Sequence, residues 1–342
     1  MNMREKLIQE FLQDDPWSRM QRHHLAGDAS NRKYERLIDP NTSESYVLMD
    51  SPGDPKAAIE PFVALTEFLA DAGLSPPKIL KKDISNGLMI IEDLGNDIFA
   101  EYIRNNPDET ETLYQSAVDV LLHLHQQTPP KDILAYGPKE MAEVGCLALT
   151  WYAHGCDVNI EQEKIEQFQS ELESILASNW FGPDVLVQRD YHAENLLWLP
   201  NRTAPKNVGL LDYQDGRSGH VAYDLVSLLE DARRDVEPEI AIKMQNYYVS
   251  KSGFDKDEFR AAYAAMGAQR NLRILGVFAR LSMHFGKASY VDLIPRVWRY
   301  LQLDLSHPAM TDLKKICADL LPNPSPENLE KLKLKCGTYP NL

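Results

Sequence analysis

The sequence predicts an α+β chain of two lobes, a small β-rich lobe followed by a larger helical one, and three observations predict it. The chain has 342 residues, which at roughly 150 residues per domain suggests about two lobes. Up to Gly95 the apolar residues fall mostly in short strand-like runs, whereas from Asp97 onward they recur at helical spacing. Hydrophobic residues make up 44% of the chain and charged residues 25%, ordinary globular usage that excludes a wholly disordered chain and can supply a core. The expected division is residues 1–95 and residues 96–342.

In order along the chain, residues 21–26 and 31–38 flank the small, turn-prone run Gly27-Asp28-Ala29-Ser30 and read as two strands with a tight connection. Residues 46–49 make a third strand. Pro55 opens a helix to Ala72, with Ile59, Phe62, Val63, Leu65, Phe68 and Leu69 near helical spacing and Gly73 as its stop. Residues 78–82 and 88–92, separated by Ser85-Asn86-Gly87, read as a hairpin. Helices are expected over residues 109–127, 139–153 and 160–179, then 223–231, 240–249, 257–284 and 293–303. They are interrupted between 185 and 211 by three short β-rich runs set among polar loops. Residues 322–342 read as a loosely ordered tail.

The formal net charge is −15, from 36 Lys+Arg against 51 Asp+Glu, and no basic patch stands out, which argues against a nucleic-acid binder. Cys146, Cys156, Cys317 and Cys336 lack Cys-x-x-Cys spacing and read as reduced thiols of a cytoplasmic protein. The N-terminus lacks the apolar core of a signal peptide, and no run approaches the roughly 20 apolar residues of a membrane span. Nothing in the sequence points to a membrane or to a protein partner. Neither a Walker A string nor G-x-G-x-x-G occurs. His123 and His125 lie ~200° apart around a helix and cannot share an ion, so packing or capping roles are expected.

The segment that carries chemistry runs from Val185 to Trp198 and continues from Val208 to Asp215. Asp190 and Asn195 sit on a loop between two apolar strands, and Asp212 ends the next strand, 17 residues after Asn195. Phosphoryl transfer needs a carboxylate that orients and deprotonates the attacking hydroxyl, together with oxygen ligands that hold Mg²⁺ on the nucleotide phosphates. Asp190 fits the first requirement; Asn195 and Asp212 fit the second. A two-metal hydrolase built on Asp212 and Asp215 lacks the further His or carboxylate that would complete it.

This segment resembles the catalytic and metal-binding loops of the aminoglycoside phosphotransferase and choline kinase superfamily, which shares the bilobal protein-kinase-like fold. The resemblance spans nearly the whole chain. It implies that Leu88-Met-Ile-Ile-Glu-Asp-Leu-Gly95 is the last strand and hinge of the nucleotide lobe, holding adenine through backbone groups around Glu92 and Leu94. It also implies that Asp224, in Tyr223-Asp-Leu-Val-Ser-Leu-Leu229, braces the catalytic loop. The strings Asp28-Ala-Ser-Asn-Arg-Lys-Tyr34, Tyr46-Val-Leu-Met-Asp50 and Gln269-Arg-Asn-Leu-Arg-Ile-Leu-Gly276 are most similar to bacterial anomeric kinases of N-acetylmuramate and N-acetylglucosamine in cell-wall recycling.

Two positions depart from the superfamily. Gln188 stands where a loop-organising His is usual, and Met49 stands where the nucleotide-binding Lys is usual; Glu60 or Glu67 would have been the helical partner of that Lys. Arg32, Lys33 or Lys56 is left to supply the cation, and strand parity puts Arg32 and Lys33 on opposite faces. Ser30, in the tight turn, is expected beside the phosphates. Trp151, with Tyr152 near His154, and Asp215, with Gln214, are candidates for substrate contact.

The expected activity is ATP- and Mg²⁺-dependent phosphorylation of a small-molecule hydroxyl, an anomeric sugar hydroxyl first. The alternatives are an aminoglycoside or amino-alcohol acceptor and, because of Gln188 and Met49, a nucleotide-binding pseudokinase. An acidic chain without the strand Lys must also lean on Mg²⁺ for nucleotide affinity.

Overall fold

The computed structural model describes residues 3–25, 32–53 and 55–339, with only the backbone of residues 55–58. The chain forms two compact units. The first is Met1–Leu124 with Ala193–Gly216, and the second is His125–His192 with Arg217–Leu342. The expected lobe boundary at Gly95 lies inside the first unit.

The first unit begins with α1 (Met3–Phe11) and an antiparallel sheet of β1 (Gln21–Leu25), β2 (Lys33–Ile38), β3 (Ser45–Asp50), β4 (Ile79–Asp83) and β5 (Leu88–Glu92). The strand order is β1-β2-β3-β5-β4. Between β3 and β4 runs α2 (Pro55–Asp71), and α3 (Phe99–Asn105) and α4 (Thr110–Leu124) follow the sheet. Four short strands come later, β6 (Val185–Val187), β7 (Leu196–Trp198), β8 (Val208–Leu210) and β9 (Arg217–Gly219). Of these, the β7–β8 hairpin belongs to the first unit.

Strand alternation divides the sheet into two faces. Leu37, Leu48, Leu88 and Ile90 cluster with Ile8, Phe11, Leu12 and Met20, and each fully buried Leu is worth about 1.5–3 kcal/mol of transfer free energy. Arg4 Nε donates to Asp50 Oδ1 at 2.8 Å and ties α1 to this face. The other face carries a register row of Tyr34, Met49, Met89 and Lys82 across four strands. The sequence reading missed α1, whose polar residues hide its two buried apolar anchors, Ile8 and Phe11.

The second unit is mainly helical, with α5 (Pro138–Gly145), a π-helical turn (Ala148–Ala153), α6 (Gln162–Ser178), α7 (Tyr223–Leu229), α8 (Pro238–Ser252) and α9 (Lys256–Met283), followed by α10 (Ile294–Asp304), α11 (Thr311–Leu320) and α12 (Pro326–Leu334). Asp255 caps α9, accepting from the N–H groups of Asp257 and Glu258. The helix is buried along most of its length, so other elements can surround it. The helix expected over 139–153 is instead α5 followed by the π turn, and the break coincides with the close passage of α9. A methyl group on Gly276 would lie 2.2 Å from the Leu147 carbonyl carbon.

The tail is also different from the expectation. Ser325 caps α12, Tyr152 donates to the Pro322 carbonyl at 2.7 Å, and Lys335 donates to the Gly155 carbonyl at 2.7 Å. Leu332 is fully buried against Gly155. A short, charged helix with one deeply buried residue gives no periodic signal of its own; docking orders it. Among the described residues no helix is long and apolar enough to cross a membrane.

Because the obstacle at Gly276 is backbone rather than a movable side chain, Gly276→Ala is expected to lower stability by about 3 kcal/mol or more. Chemical denaturation would show this as a large drop in midpoint, and an unchanged midpoint would refute the close packing.

Candidate active site

The loop bearing Asp190 is set by β6, which pairs with β9 through Val185↔Gly219, Leu186↔Ser218 and Val187↔Arg217. Directly after β6 the backbone turns sharply, with Arg189 at φ +72°, a left-handed conformation that costs a non-glycine residue about 1 kcal/mol or more. Asp224, in the first turn of α7, holds that turn. Its Oδ2 accepts from the Gln188 N–H at 2.6 Å and its Oδ1 from the Arg189 N–H at 2.9 Å. Ser227, one helical turn on, donates to the Arg189 carbonyl at 3.2 Å, and Arg270 of α9 in turn donates to Ser227 Oγ at 2.9 Å. The loop therefore rests on α7, and α7 on α9.

Asp190 follows this braced turn. Burial would raise its carboxyl, but Arg273 and Arg270 of α9, with His192 and Arg189, overcome that and hold it below the ordinary carboxylate range. It is therefore ionised near neutral pH and able to accept a hydrogen bond from a hydroxyl. Arg273 also donates to the Tyr223 hydroxyl at 3.4 Å. Burial pushes His192 down to about 4, so its ring is neutral and can accept from Arg233 Nη1 at 2.9 Å. Asp224 differs from Asp190: burial raises its carboxyl to about 7 although its two N–H bonds pull the other way.

Asn195 and Asp212 belong to the other unit and are brought together by a hairpin. β7 and β8 pair Leu196↔Leu210, Leu197↔Gly209 and Trp198↔Val208, which sets Asn195 and Leu211 at the open end. There the Leu211 N–H donates to the Asn195 carbonyl at 2.9 Å. Asp212 then takes a left-handed conformation at φ +55°, one that Asp tolerates better than most side chains. Gln214 Nε2 donates to Asp212 Oδ1 at 2.7 Å. The next residue, Tyr213, is fully buried; it stacks on Phe62 at 5.4 Å and shares a 2.6 Å hydrogen bond with Thr66, both on α2.

The Asn195 amide and the exposed Asp212 carboxylate, both at one hairpin end, are hard-oxygen groups of the kind that Mg²⁺ takes. Mg²⁺ takes one or two protein carboxylates and completes its shell with phosphate and water. Among the described residues no group of three or more His, Cys, Asp or Glu is arranged to hold a metal ion.

The remaining candidates fall as follows. Ser30 lies outside the described residues, and so does the side chain of Lys56. Arg32 immediately precedes β2, and Lys33, the first residue of that strand, is exposed. The Glu92 N–H donates to the Lys78 carbonyl at 2.8 Å, while its carboxylate pairs with Arg202 at 2.6 Å. Leu94 packs closely over Gly209 of β8. Glu67 pairs with Lys82 at 3.5 Å, and Glu60 is exposed.

Gln188 supports the loop through its backbone N–H; its buried side-chain Nε2 has no hydrogen-bond partner among the described residues. Trp151 is buried in the π turn, edge-on to His284 at 6.3 Å. Asp215 is exposed in the turn after Tyr213. His123 meets the Ala72 carbonyl at 2.6 Å and His125 the Tyr248 hydroxyl at 2.7 Å, so both serve packing. The arginines of α9 were missed as functional residues. The 269–276 string contained both, but helical periodicity does not say which neighbour a buried arginine meets.

The phosphotransferase enzyme family model matches residues 23–262 of this chain. An N-acetylmuramate/N-acetylglucosamine kinase of Caulobacter vibrioides is 35% identical over 91% of this chain and 95% of its own length. A protein of the same name from Pseudomonas aeruginosa is 30% identical over 86% and 87%. Among solved structures, an ADP-bound aminoglycoside phosphotransferase superimposes with a TM-score of 0.58 at 14% identity, covering 87% of this chain and 96% of that one. An ethanolamine kinase of Plasmodium vivax gives 0.55 at 13%, covering 87% and 85%. At such identities the likeness is one of fold, and the fold is protein-kinase-like.

The folded-state value of Asp224 lies above the roughly 3.9 of an unfolded aspartate. Its contribution to stability is therefore fully present below about pH 4 and is lost as the pH rises through about 7. Urea midpoints measured from pH 4 to 7 should fall less steeply for Asp224→Asn than for the wild type, and identical slopes would contradict the assignment.

Proposed function

This chain belongs to the phosphotransferase enzyme family, and from that premise we propose that it is an ATP- and Mg²⁺-dependent cytoplasmic kinase of the anomeric hydroxyl of an N-acetylated amino sugar. The observation that carries the reading is Asp190, ionised by the α9 arginines and braced through Asp224, in a chain 35% identical to an N-acetylmuramate/N-acetylglucosamine kinase.

Residues 1–95 serve as the nucleotide lobe, with Ser30 and Arg32 toward the phosphates and the backbone around Glu92 and Leu94 toward the adenine. Asp190 accepts the hydrogen bond of the sugar hydroxyl, aims its oxygen at the γ-phosphorus and takes the proton as the new P–O bond forms and the bond to ADP breaks. Asn195 and Asp212 would hold Mg²⁺, which would neutralise charge on the phosphate oxygens. Asp224 positions without reacting. Because little covalent chemistry falls to the protein, most of the rate comes from positioning and fixed charge.

Asp190→Asn is expected to retain Mg-ATP binding and to lose turnover by about 10²–10⁴-fold; wild-type turnover would remove Asp190 as base. Asp212→Ala is expected to lose the Mg²⁺ dependence of nucleotide binding, read by titration calorimetry with and without the metal.

Phosphorus NMR of reactions with N-acetylmuramate, N-acetylglucosamine, an aminoglycoside and ethanolamine tests the acceptor. A sugar 1-phosphate supports the proposal. Phosphorylation of the amine substrates alone overturns the acceptor class, and Mg-ATP binding without turnover on any of them makes the protein a pseudokinase.

A further inference from the structure

With Met49 fully buried in the middle of the sheet, the nucleotide phosphates need a cation from elsewhere, because phosphoryl transfer in kinase-like folds sets a positive side chain against them. Strand register narrows the choice. Tyr34 lies directly opposite Met49, and Lys33 opposite Asp50. Since side chains alternate across a strand and directly paired residues share a face, Tyr34, Arg36 and Met49 belong to one face and Lys33 to the other; Arg32, the residue just before β2, falls on the Tyr34 side if the same alternation continues. The Lys33 face is the one that α1 covers, where Asp50 receives Arg4.

The cations on the Met49 face are not equivalent. Arg36 is engaged after β5, donating to Asp93 Oδ1 at 3.0 Å and Asn96 Oδ1 at 2.7 Å. Lys82 is on the edge strand β4, paired with Glu67 of α2. Arg32 is hydrogen-bonded to the Tyr34 hydroxyl, which also lies in the field of the Asp212 carboxylate. The charge of Tyr34 in turn helps raise the Tyr213 hydroxyl, after burial, and Tyr213 is fixed on α2 by Thr66 and Phe62. A guanidinium at the head of β2 is thus held toward the same segment as Asp212, within one unit.

We propose that Arg32 is the side chain that grips the nucleotide phosphates in place of a β3 lysine, and that Tyr34 is the positioning residue that aims it. The guanidinium presents a planar fork of donors to phosphate oxygens, and the tyrosine hydroxyl, accepting from the same guanidinium, limits its rotation. A lysine at position 49 would reach the phosphates from the middle of the sheet. Arg32 supplies the same charge from one strand over, leaving the sheet interior apolar around Met49 and Met89.

The inference rests on the nucleotide-binding reading above, so the test starts with that reading. Mg-ATP is titrated into the full chain without acceptor, and KM for ATP, KM for acceptor and kcat are measured for each variant, with unfolding midpoints to confirm folding. Wild-type protein that binds no Mg-ATP overturns the nucleotide reading itself.

Given wild-type binding, Arg32→Ala is expected to weaken it about 10-fold or more and to raise KM for ATP while leaving KM for acceptor unchanged, with Arg32→Lys recovering part of the loss. Lys33→Ala and Lys56→Ala are each expected to stay within about twofold of wild type. Tyr34→Phe is expected to weaken binding several-fold, and adding it to Arg32→Ala should cost nothing further. Unchanged affinity in Arg32→Ala, or the principal loss appearing in either lysine variant, overturns Arg32 as the cation. Additive effects of Tyr34→Phe and Arg32→Ala overturn the positioning role of Tyr34.

Discussion

The loop that bears Asp190 depends on one buried carboxylate beneath it. Asp224 accepts the N–H groups of Gln188 and Arg189 at the point where the backbone enters a left-handed conformation. Those two bonds, with the Ser227 hydroxyl on the Arg189 carbonyl, offset the strain at Arg189 and fix the backbone from which Asp190 projects. The same burial that makes the bonds strong drives the Asp224 carboxyl up to about 7. Asp224 is therefore a costly brace, and it is sustained by α7 packing on the central helix α9, which also supplies Arg270 and Arg273. One helix thus supports the loop mechanically, through Arg270 and Ser227, and sets the charge state of Asp190 electrostatically.

The first unit solves a different problem by the same means. Asn195 and Asp212 are distant in sequence, and a three-residue hairpin pairing is enough to put them at one end. Its orientation comes from Tyr213, which buries an aromatic ring and a satisfied hydroxyl against α2. The exposed carboxylate of Asp212 and the buried ring of Tyr213 are consecutive residues with opposite demands on solvent, and the left-handed turn at Asp212 lets both be met.

Much of this was legible in the chain. The five strands of the sheet, α2 and the long helix appear where alternation and helical spacing put them, because each buries one continuous face and so writes its period into the sequence. The strand-loop-strand arrangement of Asp190, Asn195 and Asp212 was equally clear. What escaped were elements whose order is conferred by docking. Beside the short α3 and α11, these include α1, held by Ile8 and Phe11, the pair partner β9, only three residues long, and α12, buried at Leu332 and fixed by Tyr152 and Lys335. At residue 188 it is the backbone N–H that meets Asp224, a contact that comparing the Gln side chain with a His cannot register.

By itself the sequence pointed to the class of chemistry, through Asp190 and Asn195 on a loop between two apolar strands, Asp212 at the end of the next, and the resemblance these segments carry. It also determined that a lysine is missing from β3 and that Arg32 and Lys33 face opposite ways, a consequence of strand period alone. Which of those faces is covered by α1, which cation stands with Tyr34 and Asp212, and which arginines keep Asp190 ionised were decided only by tertiary structure. Parity is a property of one strand, whereas register, burial and electric field depend on residues brought together from far along the chain.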